Sequence, residues 1–80
     1  MAYPLYSLVR VIRLNVPERH ISGNEGLVRQ PRVGDIACIV DILSDKEREE
    51  AYIVENVDDS AFTIWLADFQ HNELELISSP

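Results

Sequence analysis

Short apolar runs with an alternating pattern recur along this chain, and they restrict its fold more than any other feature. The strongest run is 36–43 (IACIVDIL), and others cover 51–57 (AYIVENV), 62–67 (FTIWLA) and 73–77 (ELELI). A first run extends from Leu5 to Leu14. Because successive side chains of a strand point to opposite faces of a sheet, these runs predict five short β-strands.

The segments between the runs are rich in turn-forming residues. The longest, about 15–34, contains two prolines and all three glycines, and it predicts an irregular loop between strands 1 and 2 that ends in a tight Gly34–Asp35 turn. The charged stretch 44–50 predicts a hairpin tip, with a helix of one or two turns as the alternative. Residues 68–72 predict a short 3₁₀ turn before the last strand.

Eighty residues, of which 46% are hydrophobic, are enough for one domain with a core. We therefore expect a single all-β domain over 1–80. Five short strands suit a closed or nearly closed barrel, because closure protects the edges of the sheet.

Cys38 is the only cysteine, so the chain forms no intramolecular disulfide, and a lone thiol in an apolar run suits a reducing compartment. No stretch approaches the roughly 20 apolar residues of a membrane span. The N-terminal sequence lacks the basic leader of a signal peptide. We therefore predict a cytoplasmic location, with no membrane partner.

The net charge of −7 is unevenly distributed. Residues 1–34 carry five arginines and two acids, whereas residues 35–80 carry two basic residues and twelve acids. This acidic majority repels phosphate backbones, so nucleic acid is a poor candidate partner. The alternative is a nucleic-acid-contacting barrel that uses the arginines of the first third, which are Arg10, Arg13, Arg19, Arg29 and Arg32.

Four short motifs extend over nearly the whole chain: LYSLVR at 5–10, VGDIACIV at 33–40, AYIVE at 51–55 and LELI at 74–77. In these motifs the chain resembles the bacterial DUF4926 family of small domains. The resemblance implies a five-stranded SH3-like barrel and no active site. The chain departs from the family in the length of the loop after strand 1 and in carrying Cys38 after Ala37.

No residue pattern points to catalysis, a metal or a cofactor. His20, His71 and Cys38 are far apart in sequence, and neither histidine is paired with a nucleophile. Asp58 and Asp59 lack the spaced oxygen ligands of a calcium loop, and a solvated turn is the simpler interpretation. The stretch GNEGLVRQ has no Gly-Lys-Ser/Thr ending, so it is not a phosphate-binding loop. We therefore expect a protein that is not an enzyme.

Aromatic residues leave two orientations open for the fourth strand. If Phe62, Ile64 and Leu66 face the core, Trp65 and Thr63 face solvent and form a patch with Tyr52. If the other face is buried, Trp65 lies in the core and Phe62 is exposed.

We interpret the chain as a non-catalytic protein-interaction module that binds a basic partner or a second copy of itself. One version is an immunity-like or antitoxin-like inhibitor, because small acidic domains can cover basic toxic enzymes. The predicted contact residues are Trp65, Tyr52, Thr63, Arg19, Arg29 and Arg32.

Overall fold

A computed structural model describes residues 2–16, 28–45 and 48–80, which form one sheet of five antiparallel strands. The strands are β1 (Leu8–Val11), β2 (Ile36–Asp45), β3 (Arg48–Val57), β4 (Thr63–Gln70) and β5 (Leu74–Ser78), in the spatial order β4-β3-β2-β1-β5. A 3₁₀ turn over His71–Glu73 joins β4 to β5. The prediction of an all-β chain with a 3₁₀ turn before the last strand is confirmed. None of the described ranges holds a helix long and apolar enough to span a membrane.

All five strands bury side chains from the same face of the sheet. The alternation predicted from the sequence produces this face, because alternate residues of β1 and β3, and of β4 from Trp65 onward, point toward it. We call it the inner face and the opposite side the outer face. In β2 a bulge between Ile39 and Asp41 shifts the alternation, so that Ile42 packs against the core and Asp41 is exposed. The buried core consists of Val9, Val11, Ala37, Ile39, Tyr52, Val54, Trp65, Ala67, Phe69 and Leu74.

β1 is shorter than the predicted run from Leu5 to Leu14. At its start the chain turns: Tyr6 has a φ of 67°, and the Ser7 amide donates to the Pro4 carbonyl oxygen over 3.2 Å. β1 then pairs with β2 on one side and β5 on the other. The first strand therefore lies inside the sheet, between the second strand and the last, and the last strand forms an edge.

The β2–β3 hairpin is longer than predicted. β2 continues to Asp45, β3 begins at Arg48, and these two residues pair across the strands. The helical alternative for 44–50 is therefore wrong, because the strand ladder extends almost to the tip. β4 likewise continues through 68–70, which were predicted to be irregular, because Gln70 still pairs with Ala51 of β3.

The described part of the β1–β2 loop follows the sheet closely. The Val28 amide donates to the Ile64 carbonyl oxygen of β4 over 2.7 Å, and the Gly34 amide donates to the Val11 carbonyl oxygen over 2.7 Å. Gly34 has a φ of +99°, a backbone conformation that residues with a side chain rarely adopt. The predicted tight turn before β2 is therefore confirmed. Residues 17–27, which include Arg19 and His20, lie outside the described ranges.

Candidate interaction surface

The fourth strand adopts the second of the two predicted orientations. Trp65 and Tyr52 are fully buried, whereas Phe62 is 72% exposed. The interpretation in which Trp65 faces outward is wrong, and neither Trp65 nor Tyr52 is available on the surface. β4 alternates inward through Trp65, Ala67 and Phe69, and the rings of Trp65 and Phe69 lie 5.4 Å apart. Thr63 is half-buried, and its hydroxyl donates to Glu55 Oε2 over 2.7 Å.

Asp35 explains why the indole is inside. Its Oδ2 accepts hydrogen bonds from Trp65 Nε1 at 2.9 Å, from the backbone amide of Arg32 at 2.9 Å and from Arg29 Nη1 at 2.8 Å. Its Oδ1 accepts a further bond from Arg29 Nη2 at 2.9 Å. The Trp65 N–H thus has a charged acceptor next to the core, which removes the cost of burying it unpaired.

Two opposing effects act on the pKa of Asp35. Burial raises the pKa, but the hydrogen bonds from Arg29, Arg32 and Trp65, together with the guanidinium charge, lower it below its ordinary value of 3.8. Hydrogen bonding to Asp35 in turn raises the pKa of Arg29. Arg29, predicted as a contact residue, is therefore held in an ion pair within the β1–β2 loop, and Asp35 links this loop to β4 through Trp65. Arg32 is exposed and contributes its backbone amide.

A second polar cluster holds the N-terminal segment against the sheet. The Tyr52 hydroxyl lies 2.9 Å from His71 Nδ1 and accepts a hydrogen bond from the Tyr3 amide at 3.0 Å. The ring of Tyr3 stacks on His71 at 4.2 Å, and its hydroxyl donates to the Leu74 carbonyl oxygen at 3.2 Å. His71 is half-buried here.

Glu73 is a buried carboxylate that sequence reasoning missed. It is 1% exposed, and its two oxygens accept from the backbone amides of Asn15 at 2.8 Å and Gln70 at 2.8 Å. The Asn15 side chain also donates to Gln70 Oε1 and Asn72 Oδ1. The spacing of Gln70 and Glu73 forms a reciprocal capping box, which was a readable signal.

The outer face of the sheet carries exposed apolar side chains in neighbouring strands. The cross-strand register places Leu8 opposite Cys38, Cys38 opposite Glu55, and Glu55 opposite Leu66. Ile36 lies two residues from Cys38, and Val57 lies two residues from Glu55 on the same side. We call this set the outer row, and its members are Leu8, Ile36, Cys38, Glu55, Val57 and Leu66. The four large apolar members are 37–46% exposed, and they are Leu8, Ile36, Val57 and Leu66.

Phe62 is the last residue of the β3–β4 loop, and alternation directs its side chain away from the outer row, because Thr63 next to it pairs with Val57 on the outer face. Asp58 organises this loop: its Oδ1 accepts from the amides of Ser60 at 2.8 Å and Phe62 at 3.0 Å. Its amide donates to the Phe62 carbonyl oxygen at 2.9 Å, and its carbonyl oxygen accepts from the Ala61 amide at 2.9 Å. Ala61 has a φ of 65°, a region that residues other than glycine rarely occupy.

The surroundings of the outer row are acidic. From position 49 to 80 the sequence contains no Lys or Arg and eight acids. On β1, Arg10 pairs with Glu75 of β5 at 2.9 Å. Burial and the nearby Glu55 raise the pKa of the Cys38 thiol, so this thiol is a weak nucleophile at neutral pH. The outer face of β3 and β4 thus combines apolar and negatively charged side chains.

No three His, Cys, Asp or Glu side chains come together as a metal site within the described ranges. No protein-family model matches the chain, and no curated protein or solved structure matches it either. The resemblance to the DUF4926 family therefore stays a prediction.

Proposed function

We propose that this chain is a non-catalytic protein-interaction module built on an SH3-like barrel. The barrel is supported by the connection between the two edge strands: β4 and β5 lie at opposite edges of the sheet, yet only His71–Glu73 separates them in sequence. A sheet whose edges are joined so closely must curl. Curling also accounts for a core built from a single face of all five strands.

The observation that carries the proposal is the outer row. Its large apolar side chains are the residues that period-two alternation directs away from a complete core. Scattered exposed apolar residues are ordinary, but apolar residues in adjoining rows of neighbouring strands form a continuous surface, and such surfaces mark interaction sites. The partner is a protein with a basic contact region, because the acids of β3, β4 and the loop between them repel acidic surfaces.

An immunity-like or antitoxin-like inhibitor is one form of this function, since occlusion of a basic enzyme requires only a complementary surface. Contact with nucleic acid is a weaker alternative. Arg10 and Arg29, two of the five arginines it would use, are held in ion pairs with Glu75 and Asp35. A cytoplasmic location, expected from the single cysteine, stays a prediction.

The proposal is tested by affinity capture with the folded chain as bait in an extract of the source organism, quantified at low and at high salt. We expect one basic protein to be retained in stoichiometric amount at low salt. The purified pair should then form a one-to-one complex by light scattering. If only substoichiometric proteins are recovered and none forms a complex after purification, the chain is not an interaction module of this kind.

A further inference from the structure

We propose that Glu55, in the middle of the outer row, is the recognition residue for one Lys or Arg side chain of a protein partner. The apolar side chains beside Glu55 cover the aliphatic stem of that Lys or Arg. This inference rests on the proposed function and names the residue that selects a basic partner.

The strand register surrounds Glu55 with less polar side chains. Glu55 lies opposite Cys38 of β2 on one side and opposite Leu66 of β4 on the other. Val57 is two residues farther along β3 on the same face, and the Glu55 side chain is itself half-buried. Because these neighbours partly exclude water, the carboxylate attracts a cation more strongly than a fully solvated carboxylate does.

Thr63 fixes the position of the Glu55 carboxylate. The Thr63 hydroxyl donates to Glu55 Oε2 over 2.7 Å, so the side chain is held against the sheet before any partner binds. Within the described ranges, Glu55 Oε1 has no hydrogen-bond or ion-pair partner. A group that is ordered in advance loses little conformational freedom on binding. Oε1 is therefore available to accept from an ammonium or guanidinium group.

The charge of Glu55 is not neutralised from within the outer face. Among the strand residues whose side chains the structure describes, the only cation is Arg10, and it pairs with Glu75 of β5 over 2.9 Å. Burial and the charge of Glu55 both raise the pKa of the Cys38 thiol, so the field of the carboxylate reaches its neighbour across the strands. A Lys or Arg side chain complements this site with its charged head and its apolar stem.

The occupant is a different protein rather than a second copy of this chain. In a symmetric dimer, the outer row of one copy would face the outer row of the other. Such a contact places the same acidic surface against itself, between two chains that each carry a net charge of −7. Like charges across an interface oppose association.

A double-mutant cycle between Glu55 and a peptide cation tests the proposal. Peptides are selected from a random twelve-residue library displayed on phage, with the folded wild-type chain as target. Each Lys or Arg of a selected peptide is then replaced in turn by norleucine, which keeps an apolar stem and removes the charge. Affinities for the wild type and for Glu55→Gln are measured by fluorescence anisotropy.

We expect norleucine at one peptide position to weaken binding to the wild type at least about tenfold, as for a close charge pair. The same replacement should weaken binding to Glu55→Gln less than about twofold, because the charge that it loses there has no partner. High salt should weaken the wild-type complex more than the Glu55→Gln complex, since salt screens the pair. Glutamine can still accept from Thr63, and fluorescence of the buried Trp65 verifies that each variant is folded.

The matched control is Glu75→Gln. It removes the same charge from the same face of the sheet, but Glu75 lies on β5, three strands from β3 or about 14 Å away. Peptide affinity should change less than about twofold in this variant, as expected for a distant site. Thr63 is a positioning residue, so Thr63→Val should weaken binding about threefold, whereas Thr63→Ser keeps the hydroxyl and should retain the wild-type affinity.

An equal effect of norleucine on binding to the wild type and to Glu55→Gln would overturn the role of Glu55. The interaction module would still stand, because the peptides bind. Selected peptides without Lys or Arg, or no selected peptides at all, would overturn the proposed partner chemistry. Light scattering that shows self-association of the wild type, lost in Glu55→Gln, would overturn the choice of a different protein as occupant.

Discussion

Substitution of Asp35 by Asn tests how the β1–β2 loop is fastened to the core. Asparagine has the same shape, and its single oxygen can replace Oδ2, which accepts from Trp65, Arg32 and Arg29. Its amide group cannot accept the second bond of Arg29. Loss of one charge-assisted hydrogen bond and of the ion pair should lower the free energy of unfolding by about 2 kcal/mol.

Asp35→Ala should cost roughly 4 kcal/mol, because it also leaves the buried Trp65 N–H without its acceptor. Urea denaturation followed by the fluorescence of Trp65, the only tryptophan, measures both variants. With a slope of about 1 kcal/mol per molar urea for a chain of this size, the Asn variant should unfold at about 2 M less urea.

The stabilisation from Asp35 should depend on pH in a defined direction. Because the pKa of Asp35 is lower in the folded chain than its ordinary value of 3.8, the stabilisation is fully present above 3.8 and is lost as the pH falls through the folded value. The difference between the wild type and Asp35→Asn should therefore be constant near neutrality and shrink below pH 3.8. A midpoint shift under about 0.5 M urea, or a difference that persists in acid, would refute this account.

Three further substitutions have defined outcomes. Ala61→Gly should stabilise the chain by about 1 kcal/mol, because glycine adopts the positive φ at this position without strain. Calorimetry should show a Tm raised by about 4–8 °C, and a lower Tm would contradict the strain at Ala61. Glu73→Gln should lower the free energy of unfolding by about 2 kcal/mol, because it replaces a buried carboxylate that accepts hydrogen bonds from two backbone amides. The control is Glu75→Gln, which removes an exposed ion pair and should cost less than about 1 kcal/mol. Equal losses in the two variants would rule out the buried role of Glu73. Glu55→Gln should lower the pKa of Cys38 and speed its alkylation at mildly alkaline pH, and an unchanged rate–pH profile would exclude Glu55 as a cause.

The sequence could predict the number and face of the strands wherever polar and apolar residues separate the two sides. Val9 and Val11 of β1 alternate with Arg10, and this face is buried as the pattern indicates. In β4 both sides are apolar, so alternation alone could not choose between Trp65 and Phe62. The choice depends on Asp35, an acceptor 30 residues earlier in the chain, and a local pattern contains no such information.

Trp65 and Tyr52, two of the predicted contact residues, are buried for a related reason. Aromatic and arginine side chains are typical of interfaces, but they are equally suited to the polar border of a core. Arg29 is used in that way, because its guanidinium pairs with the Asp35 carboxylate that also accepts from Trp65. For Glu73, the local capping box with Gln70 was readable, but the bond from the Asn15 amide, 58 residues away in the chain, was not, because a local pattern contains no such contact.

The position of β1 between β2 and β5 affects how the chain folds during synthesis. One neighbour of β1 begins at Ile36, but the other begins at Leu74, 63 residues after Val11. At about 5–20 residues per second, roughly 3–13 s pass before that neighbour exists. Throughout this interval one side of β1 is an open edge, able to pair with other nascent chains. The sheet is therefore completed only when β1 pairs with β5, the strand that is farthest from it in sequence. Such long-range pairing is slow and comes late in folding.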